Sequence, residues 1–545
     1  MFIAFAQRRV LTLLATVHPV LANKAGALHR PNTSAFISGL RNYSLTSAMH
    51  ATHGTIYALS SHPGKSAVAV IRISGPQTLG ILKSMVPRLA SRFTLRPRHA
   101  LLTRLVHPED PKNVLDTCLC LWFPAPHSFT GEDMAELHVH GGIAVIDSVL
   151  RALSGISGVR MAERGEFSRR SFDNEKMDLT TLEGVSDLIN AETEAQRRLA
   201  VRQSRGELHL LYDAWRRTLI ELMALTEAYI DFSEEENIED GIYPQVCERV
   251  DELVDGIRRH LDDKRRGEIM RTGVSLSIVG PPNSGKSTLL NKLAQRQVAI
   301  VSPVAGTTRD VVETTLDIGG YPLVVRDTAG LRKASADVIE IEGIRRAVES
   351  AREADVRIFM LDVRLLSGPQ PDGIGLLDDA AWKTLLELPH TFVVFNKADR
   401  MPDALLGQSR LEQMALARAW MEKHGVRLAD VGGAVMFLSC KTNDGWDSLM
   451  HELAEHIRRS WEDGTSGSGE KTQMPLTKAR HREHLQRCLD HLVEFQQINS
   501  SDDATTVVLA AEELRRAADS LGRITGKVGI EDVLDALFGQ FCIGK

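Results

Sequence analysis

The chain has 545 residues, 43% hydrophobic and 25% charged, with a net charge of −6. That is globular composition on a chain too long for one core, and it excludes a disordered or fibrous protein. The acidic balance excludes a bulk basic field for nucleic acid, so any RNA contact has to be local or shared with a partner.

The six cysteines, Cys118, Cys120, Cys247, Cys440, Cys488 and Cys542, form no CxxC pair. That argues against a disulfide framework or a zinc site and for a reducing compartment. No run approaches the ~18 apolar residues of a membrane span. No Asp or Glu precedes Glu109, and residues 1–50 carry Arg8, Arg9, Lys24, Arg30 and Arg41 among many Ser, Thr and Ala. An Arg- and Ser-rich, acid-free start marks a mitochondrial or plastid transit peptide, so residues 1–50 are set aside from the fold.

From Gly54, Tyr57–Leu59 and Ala67–Ile73 are predicted strands around the turn His62-Pro63-Gly64. Leu119–Phe123 is predicted as another strand and Gly141–Leu153 as a helix, giving a mixed α/β unit over 52–172. Residues 173–270 lack turn signals over long stretches. Leu199, Leu210, Leu211, Trp215, Leu219, Leu222, Met223 and Leu225 fall at helical spacing there. Ser233 to Asp240 is an acidic run, read as a solvated turn or helix start.

Over 271–462, short apolar runs alternate with helical segments: Leu276–Val279, Leu323–Val325, Ile358–Leu361, Phe392–Phe395 and Val435–Leu438. This βαβ pattern predicts a parallel sheet with helices on both faces. Residues 463–471 hold a Gly/Ser linker, and helical periodicity returns over 472–545. A sheet domain inserted between two helical stretches implies that those stretches form one split helical domain. The fold class is multidomain α/β plus α.

The chemistry concentrates in the inserted domain. Gly280-Pro281-Pro282-Asn283-Ser284-Gly285-Lys286-Ser287 fits GxxxxGK[ST] and sits between the strand Leu276–Val279 and the predicted helix Thr288–Leu293, the context a phosphate-binding loop requires. Backbone N–H groups of such a loop wrap phosphates, and the helix N-terminus adds a favourable field. Lys286 is placed on the β/γ-phosphates and Ser287 on Mg²⁺. Asp327-Thr328-Ala329-Gly330 closes the strand Leu323–Val325, where an acid can hold Mg²⁺ through water and the Gly330 N–H can meet the γ-phosphate. Between them, Gly306-Thr307-Thr308 offers Thr308 as the second Mg²⁺ ligand. Asn396-Lys397-Ala398-Asp399 follows the strand Phe392–Phe395, and a carboxylate there accepts from guanine N1–H and its 2-amino group, which selects GTP over ATP. Ser439-Cys440-Lys441 completes the base pocket.

Leu331 stands where many GTPases carry a water-orienting Gln, so another group must orient water. Glu340 and Glu342 are the candidates, and the alternative for both is an exposed helix face. Asn283 can give an oxygen to a monovalent cation beside the β/γ bridge, or serve only as a loop-forming residue.

These motifs, with Ser128-Phe129-Thr130-Gly131-Glu132-Asp133, Gly165-Glu166-Phe167-Ser168-Arg169-Arg170 and the terminal Phe541-Cys542-Ile543-Gly544-Lys545, resemble the MnmE/TrmE family of tRNA-modifying GTPases from about Gly54 to Lys545. With its transit peptide the chain resembles the organellar member, which places it in the mitochondrial matrix. The resemblance implies a folate-binding N-terminal domain, a split helical domain and an inserted Ras-like domain. It also implies a homodimer, K⁺-stimulated pairing of the GTPase domains, and an FAD-dependent partner of the MnmG/GidA/MTO1 type. Together the two would modify carbon 5 of a tRNA wobble uridine, in carboxymethylaminomethyl or taurinomethyl form, with 5-formyl- or methylene-tetrahydrofolate as one-carbon source.

Carried over by motif, Asn283, Ser302, Val304 and Thr307 would surround K⁺, Ser287 and Thr308 would ligate Mg²⁺, and Glu340 would be the catalytic acid, with Glu342 as the alternative. Arg72, Glu136, Lys176 and Lys545 would hold folate, and Cys542 would lie near the one-carbon site. His138 and His140 alternate on a strand and lack the third ligand a metal site needs. The other function open to such motifs is an organellar ribosome-assembly GTPase, which usually carries a basic RNA-binding domain.

Overall fold

The computed structural model describes residues 54–90, 96–232, 242–263, 265–296, 314–325, 349–366, 388–401, 409–423, 434–462, 474–498, 504–527, 537 and 544. The chain divides into two compact units. One comprises residues 1–182, 213–251 and 491–545; the other comprises 183–212 and 252–490. The helices from Leu179 to Thr272 and from Ala479 to Thr525 are divided between them.

The first unit holds a six-stranded sheet of β1 (Thr55–Leu59), β2 (Ser66–Ser74), β3 (Leu101–Val106), β4 (Val114–Phe123), β5 (Met134–Gly141) and β6 (Val159–Met161), in the order β3-β4-β5-β2-β1-β6. All neighbours run antiparallel except β1 with β6. Such a sheet can bury one face and leave polar groups on the other. Ala69, Ile71 and Ile73 of β2 face the core with Leu137 and Val139 of β5 and Cys118 and Cys120 of β4. The helices Thr78–Met85 and Ile143–Ser154 cover that face with Ile81, Leu82, Met85, Val149 and Leu153. Each fully buried Leu or Ile contributes roughly 1.5–3 kcal/mol, so Ile73→Ala would cost about 2–5 kcal/mol.

The predicted helix from Gly141 begins two residues later. Gly141 ends β5, where a Cβ would lie 2.1 Å from Ser66 Oγ, so only glycine permits this approach. In the helix Glu207–Phe232, Leu219 and Leu222 are buried as the spacing predicts, together with Tyr212, whereas Leu210 is 67% exposed.

The second unit holds the other sheet, formed by β7 (Val274–Val279), β8 (Thr314–Ile318), β9 (Tyr321–Val325), β10 (Val356–Asp362), β11 (Thr391–Asn396) and β12 (Val435–Leu438), in the order β12-β11-β10-β7-β9-β8. Five strands are parallel, and β8 is an antiparallel edge the sequence reading missed. Its segment Thr314–Ile318 lies on the hairpin turn Gly319-Gly320, both with positive φ. Every side chain of β7, β11 and β12 is buried, the continuous apolar pattern of a sheet covered on both faces. The order reverses between β7 and β10, and ligands of open α/β sheets bind beyond the strand C-termini at such a switch point.

The strand β7 is anchored at its start. Gly273 (φ 98°) turns the chain out of the helix Arg266–Thr272. In that helix, Glu268 accepts from Arg482 Nε at 2.8 Å, and Arg271 Nε donates to the Thr477 carbonyl at 2.8 Å. Gly267 is required there, since a Cβ would fall 2.1 Å from the Leu476 carbonyl oxygen. The segment from Asp463 to Gln473, with the predicted linker, lies outside the described residues, as do residues 1–50.

Candidate functional site

The strand β7 delivers the chain into the loop Gly280–Gly285, and the helix Lys286–Arg296 leaves it. Gly280 (φ 144°), Asn283 (φ 59°) and Gly285 (φ 103°) turn through left-handed backbone, which lets successive N–H groups converge on one point. Both glycines are obligatory. A Cβ on Gly280 would stand 2.2 Å from the Met360 carbonyl oxygen, and one on Gly285 would stand 2.2 Å from Asn396 Nδ2.

Lys286 Nζ donates to the carbonyls of Gly280 at 2.8 Å and Pro281 at 2.9 Å, so the loop itself aims the ammonium. Burial pushes the Lys286 pKa below the usual lysine range, the environment in which an anion is most strongly attracted. The Ser284 hydroxyl is fully buried with no hydrogen-bond partner among the described residues. Ser287 and Thr288 stand in the first helical turn, where N–H groups are unclaimed by the helix. A cradle of inward N–H groups, a directed cation and a helix N-terminus fits a polyphosphate.

The base end is tied to this loop. Asn396, the last residue of β11 and 2% exposed, donates from Nδ2 to the Ser284 carbonyl at 2.8 Å. Its Oδ1 accepts from Cys440 N at 3.2 Å. One side chain therefore joins three loops. Asp399 Oδ1 accepts from Ser439 Oγ at 2.6 Å, and that bond holds the Asp399 carboxyl below its ordinary range. The Ser439 hydroxyl also receives the Lys441 amide at 3.3 Å. Lys397 (φ 63°) donates to Asp362 Oδ2 at 2.8 Å. Burial raises the Asp362 pKa, but Arg364 and Lys397 outweigh it and hold it at about 2.

Sequence reasoning missed two contributors. Asp362 ends β10 and fixes Lys397; Lys292, nearly two turns along the helix Lys286–Arg296, donates to the Cys440 carbonyl at 2.7 Å. The available signal for Asp362 was an acid directly after the apolar run Ile358–Leu361.

In the first unit, Arg72 on β2 and Glu136 on β5 are directly paired across the strands. Arg72 Nε and NH2 donate to Glu136 Oε1 at 3.2 and 2.9 Å. The guanidinium lies over the rings of Phe129 and Phe167, 5.4 and 5.8 Å from their centroids. Its NH1 reaches the Gly544 carbonyl at 3.4 Å, and Ser60 Oγ donates to the same oxygen at 2.9 Å. The C-terminal end of the chain thus returns to this sheet. Lys176 is exposed and follows a tight turn, its amide bonded to the Ser171 carbonyl at 2.8 Å. Its side chain packs beside Gly131, whose φ of 80° and crowding by Asn174 exclude a Cβ.

Two motifs far apart in sequence meet beside it. Arg170, 1% exposed, donates to Glu132 at 2.8 Å, to Glu166 at 2.9 Å and to the Gly54 carbonyl at 2.8 Å. Glu132 also accepts from Ser74 at 2.8 Å.

Against known proteins, residues 55–176 match the model of the GTP-binding protein TrmE N-terminus, and residues 179–542 match that of the MnmE helical domain. A mitochondrial 5-taurinomethyluridine-tRNA synthase subunit of Danio rerio is 44% identical over 495 residues, covering 90% of this chain and 93% of that protein. The tRNA modification GTPase MnmE of Parvibaculum lavamentivorans is 44% identical over 492 residues, covering 90% of this chain and all of that protein. That of Rickettsia akari is 40% identical over 492 residues, with the same coverage of both chains.

The chain belongs to the MnmE/TrmE family of tRNA modification GTPases. It is a GTPase acting in tRNA modification, built as a multidomain α/β protein.

Of the residues the sequence singled out, the phosphate-loop and base-loop groups converge, and Arg72, Glu136 and the C-terminal Gly544 converge separately. Ser302, Val304, Gly306, Thr307, Thr308, Asp327, Thr328, Ala329, Gly330, Glu340, Glu342, Cys542 and Lys545 lie outside the described residues. His138 and His140 are held by Glu136 (3.4 Å) and Asp116 (2.8 Å), ordinary imidazole–carboxylate contacts. Among the described residues, no disulfide joins Cys118, Cys120, Cys247, Cys440 or Cys488, and no helix is long and apolar enough to cross a membrane.

Proposed function

We propose that the chain hydrolyses GTP to support modification of carbon 5 of the wobble uridine in mitochondrial tRNAs, with a reduced folate as one-carbon source and an FAD-dependent partner of the MnmG/GidA type. The taurinomethyl form follows the activity for which the Danio rerio relative is named. The single observation that carries the nucleotide half is the Asn396 tie between the phosphate loop and the base loop.

In this reading the loop N–H groups and Lys286 hold the phosphates, with Ser284, Gly285 and Thr288 in the cradle. Ser287 and Thr308 ligate Mg²⁺, whose role is to neutralise charge between the phosphates. Asn283, Ser302, Val304 and Thr307 surround K⁺, and Glu340 orients the attacking water. Asp399 accepts from the guanine edge, walled by Asn396, Lys397 and Ser439–Lys441; Asp327–Gly330 closes the γ-phosphate side.

The folate half rests on the meeting of Arg72, Glu136 and Gly544. A carboxylate holds the pterin amino donors, and a cation holds the glutamate tail. Lys545 adjoins Gly544 in sequence, and Cys542 precedes it by two residues. We further propose the domain division 52–172, 173–270 with 472–545, and 271–462, which rests on the strand and helix periodicity and on the family resemblance, and a homodimer, which rests on the resemblance alone.

The test is mass spectrometry of organellar tRNA nucleosides from cells lacking the protein, rescued with wild type or Lys286→Ala. Loss of the wobble modification restored by wild type alone is expected. An unchanged nucleoside profile would put ribosome assembly first.

A further inference from the structure

An RNA-acting chain with net charge −6 needs a place where phosphates meet no carboxylate. From Gly54 to Pro108 every charged residue is Lys or Arg. This stretch ends in β3, the edge strand of the first sheet, and beside β3 lies a cavity of about 580 Å³. That volume lies within the roughly 300–1,000 Å³ of small-ligand sites and suits one nucleotide.

We infer that this cavity is an RNA docking site, in which Arg88 and Arg104 take a backbone phosphate and the apolar wall of Leu102 and Val114 takes the attached nucleoside. The inference rests on the tRNA reading above. Both arginines are exposed and line the cavity. Arg104 faces Thr117 across the strand pair, so its cross-strand neighbour is a hydroxyl and not an acid. Arg88 leans over the edge of β3, its NH1 3.5 Å from the Leu102 carbonyl oxygen. Two planar guanidinium forks on one concavity match the bidentate geometry of phosphate.

The apolar part of the wall is unusually open. Leu102 is 61% and Val114 49% exposed. Water-facing aliphatic groups between two cations suit a flat, partly apolar base or ribose better than a folded acidic helix. Arg96, also exposed, leads into the strand and extends the cationic edge beyond the cavity.

The test is binding of fluorescently labelled tRNA to the full chain, followed by anisotropy from low to moderate salt, for wild type, Arg88→Glu/Arg104→Glu and Arg88→Lys/Arg104→Lys. Each phosphate contact contributes roughly 0.9 to the slope of log affinity on log salt, so the charge-reversed variant should lose about 1 from that slope and at least tenfold in affinity. The lysine variant should keep most of the slope, and all three should turn over GTP alike. Wild-type affinity and slope in the charge-reversed variant would overturn the inference. So would intact tRNA binding with lost binding of the FAD-dependent partner, which would make the edge a protein interface. A wild type that binds no tRNA at any salt would instead overturn the tRNA reading, and this site with it.

Discussion

The two sheets carry their polar groups in different places. In the parallel sheet, β7, β11 and β12 bury every side chain, so functional groups stand at or beyond the last residue of a strand: Gly280–Ser287, Asp362, Asn396–Asp399 and Ser439–Lys441. In the antiparallel sheet, alternate residues leave a face for polar groups, and Arg72 and Glu136 meet in mid-strand. The first site therefore depends on turn backbone and on side chains that tie one turn to the next. The second depends on register, because a slip of one residue between β2 and β5 would send Arg72 and Glu136 to opposite faces.

The largest effect should come from the turn-built site. Lys286→Ala removes the one cation the loop carbonyls aim, and GTP turnover should fall by roughly 10²–10³-fold with the far-ultraviolet spectrum unchanged. Turnover within a few-fold of wild type would mean the ammonium does not meet the phosphates. Asp399→Asn should come next. It replaces an acceptor pair for guanine N1–H and the 2-amino group by a group that is half donor, at a cost of about 1–3 kcal/mol in GTP affinity. Xanthosine triphosphate, with a carbonyl in place of the 2-amino group, should bind the variant better than the wild type. Equal discrimination by both would remove Asp399 from the base pocket.

Register can be challenged in the same way. Arg72→Ala should lower reduced-folate affinity at least tenfold, as loss of a charge-assisted pair implies, while GTP affinity stays constant. Unchanged folate binding in equilibrium dialysis would reduce the Arg72–Glu136 pair to a structural contact. Parallel loss of GTP affinity would show that the two sites are not independent.

The same contrast explains what the sequence made legible. The loop motifs are contiguous, and backbone geometry within eight residues fixes their shape, so the phosphate loop and Asn396–Asp399 were readable from spacing alone. Asn396 itself was read as a base contact, whereas its side chain is spent on Ser284 and Cys440. That role depends on register, which sets Asn396 beside Leu438 at the end of β12 while the loop after β7 rises to meet it. The Arg72–Glu136 pair spans 64 positions, and Arg72 to Gly544 spans 472. Residue chemistry alone favours surface charges there, and only the family resemblance pointed to them. Strands β3 and β6 escaped notice, β3 because polar Thr103 stands on its buried face and β6 because it is only three residues long; the alternation of His138 and His140 marked β5 as a strand without giving its bounds. The edge strand β8 escaped because Thr314, Thr315 and Asp317 dilute it.

The smallest effect concerns how the base loop is held. Asp362 receives Lys397 at 2.8 Å and Arg364 at 2.6 and 3.0 Å, and its carboxyl is held at about 2 against an ordinary 3.8. A carboxyl with a depressed folded-state pKa stabilises the fold above its unfolded value, and that contribution drains away as pH falls toward the folded one. Asp362→Asn should thus cost about 1–2 kcal/mol at neutral pH, after allowance for the exposed Arg364 partner. The stability gap between wild type and variant, measured by urea unfolding, should stay flat from pH 8 to about 5 and narrow below pH ~4. A gap that persists unchanged into acid would mean that the aspartate acts through shape and not charge. In that case Lys397 would be positioned by its left-handed backbone alone, and the base end of the site would owe less to side-chain ties than the phosphate end does.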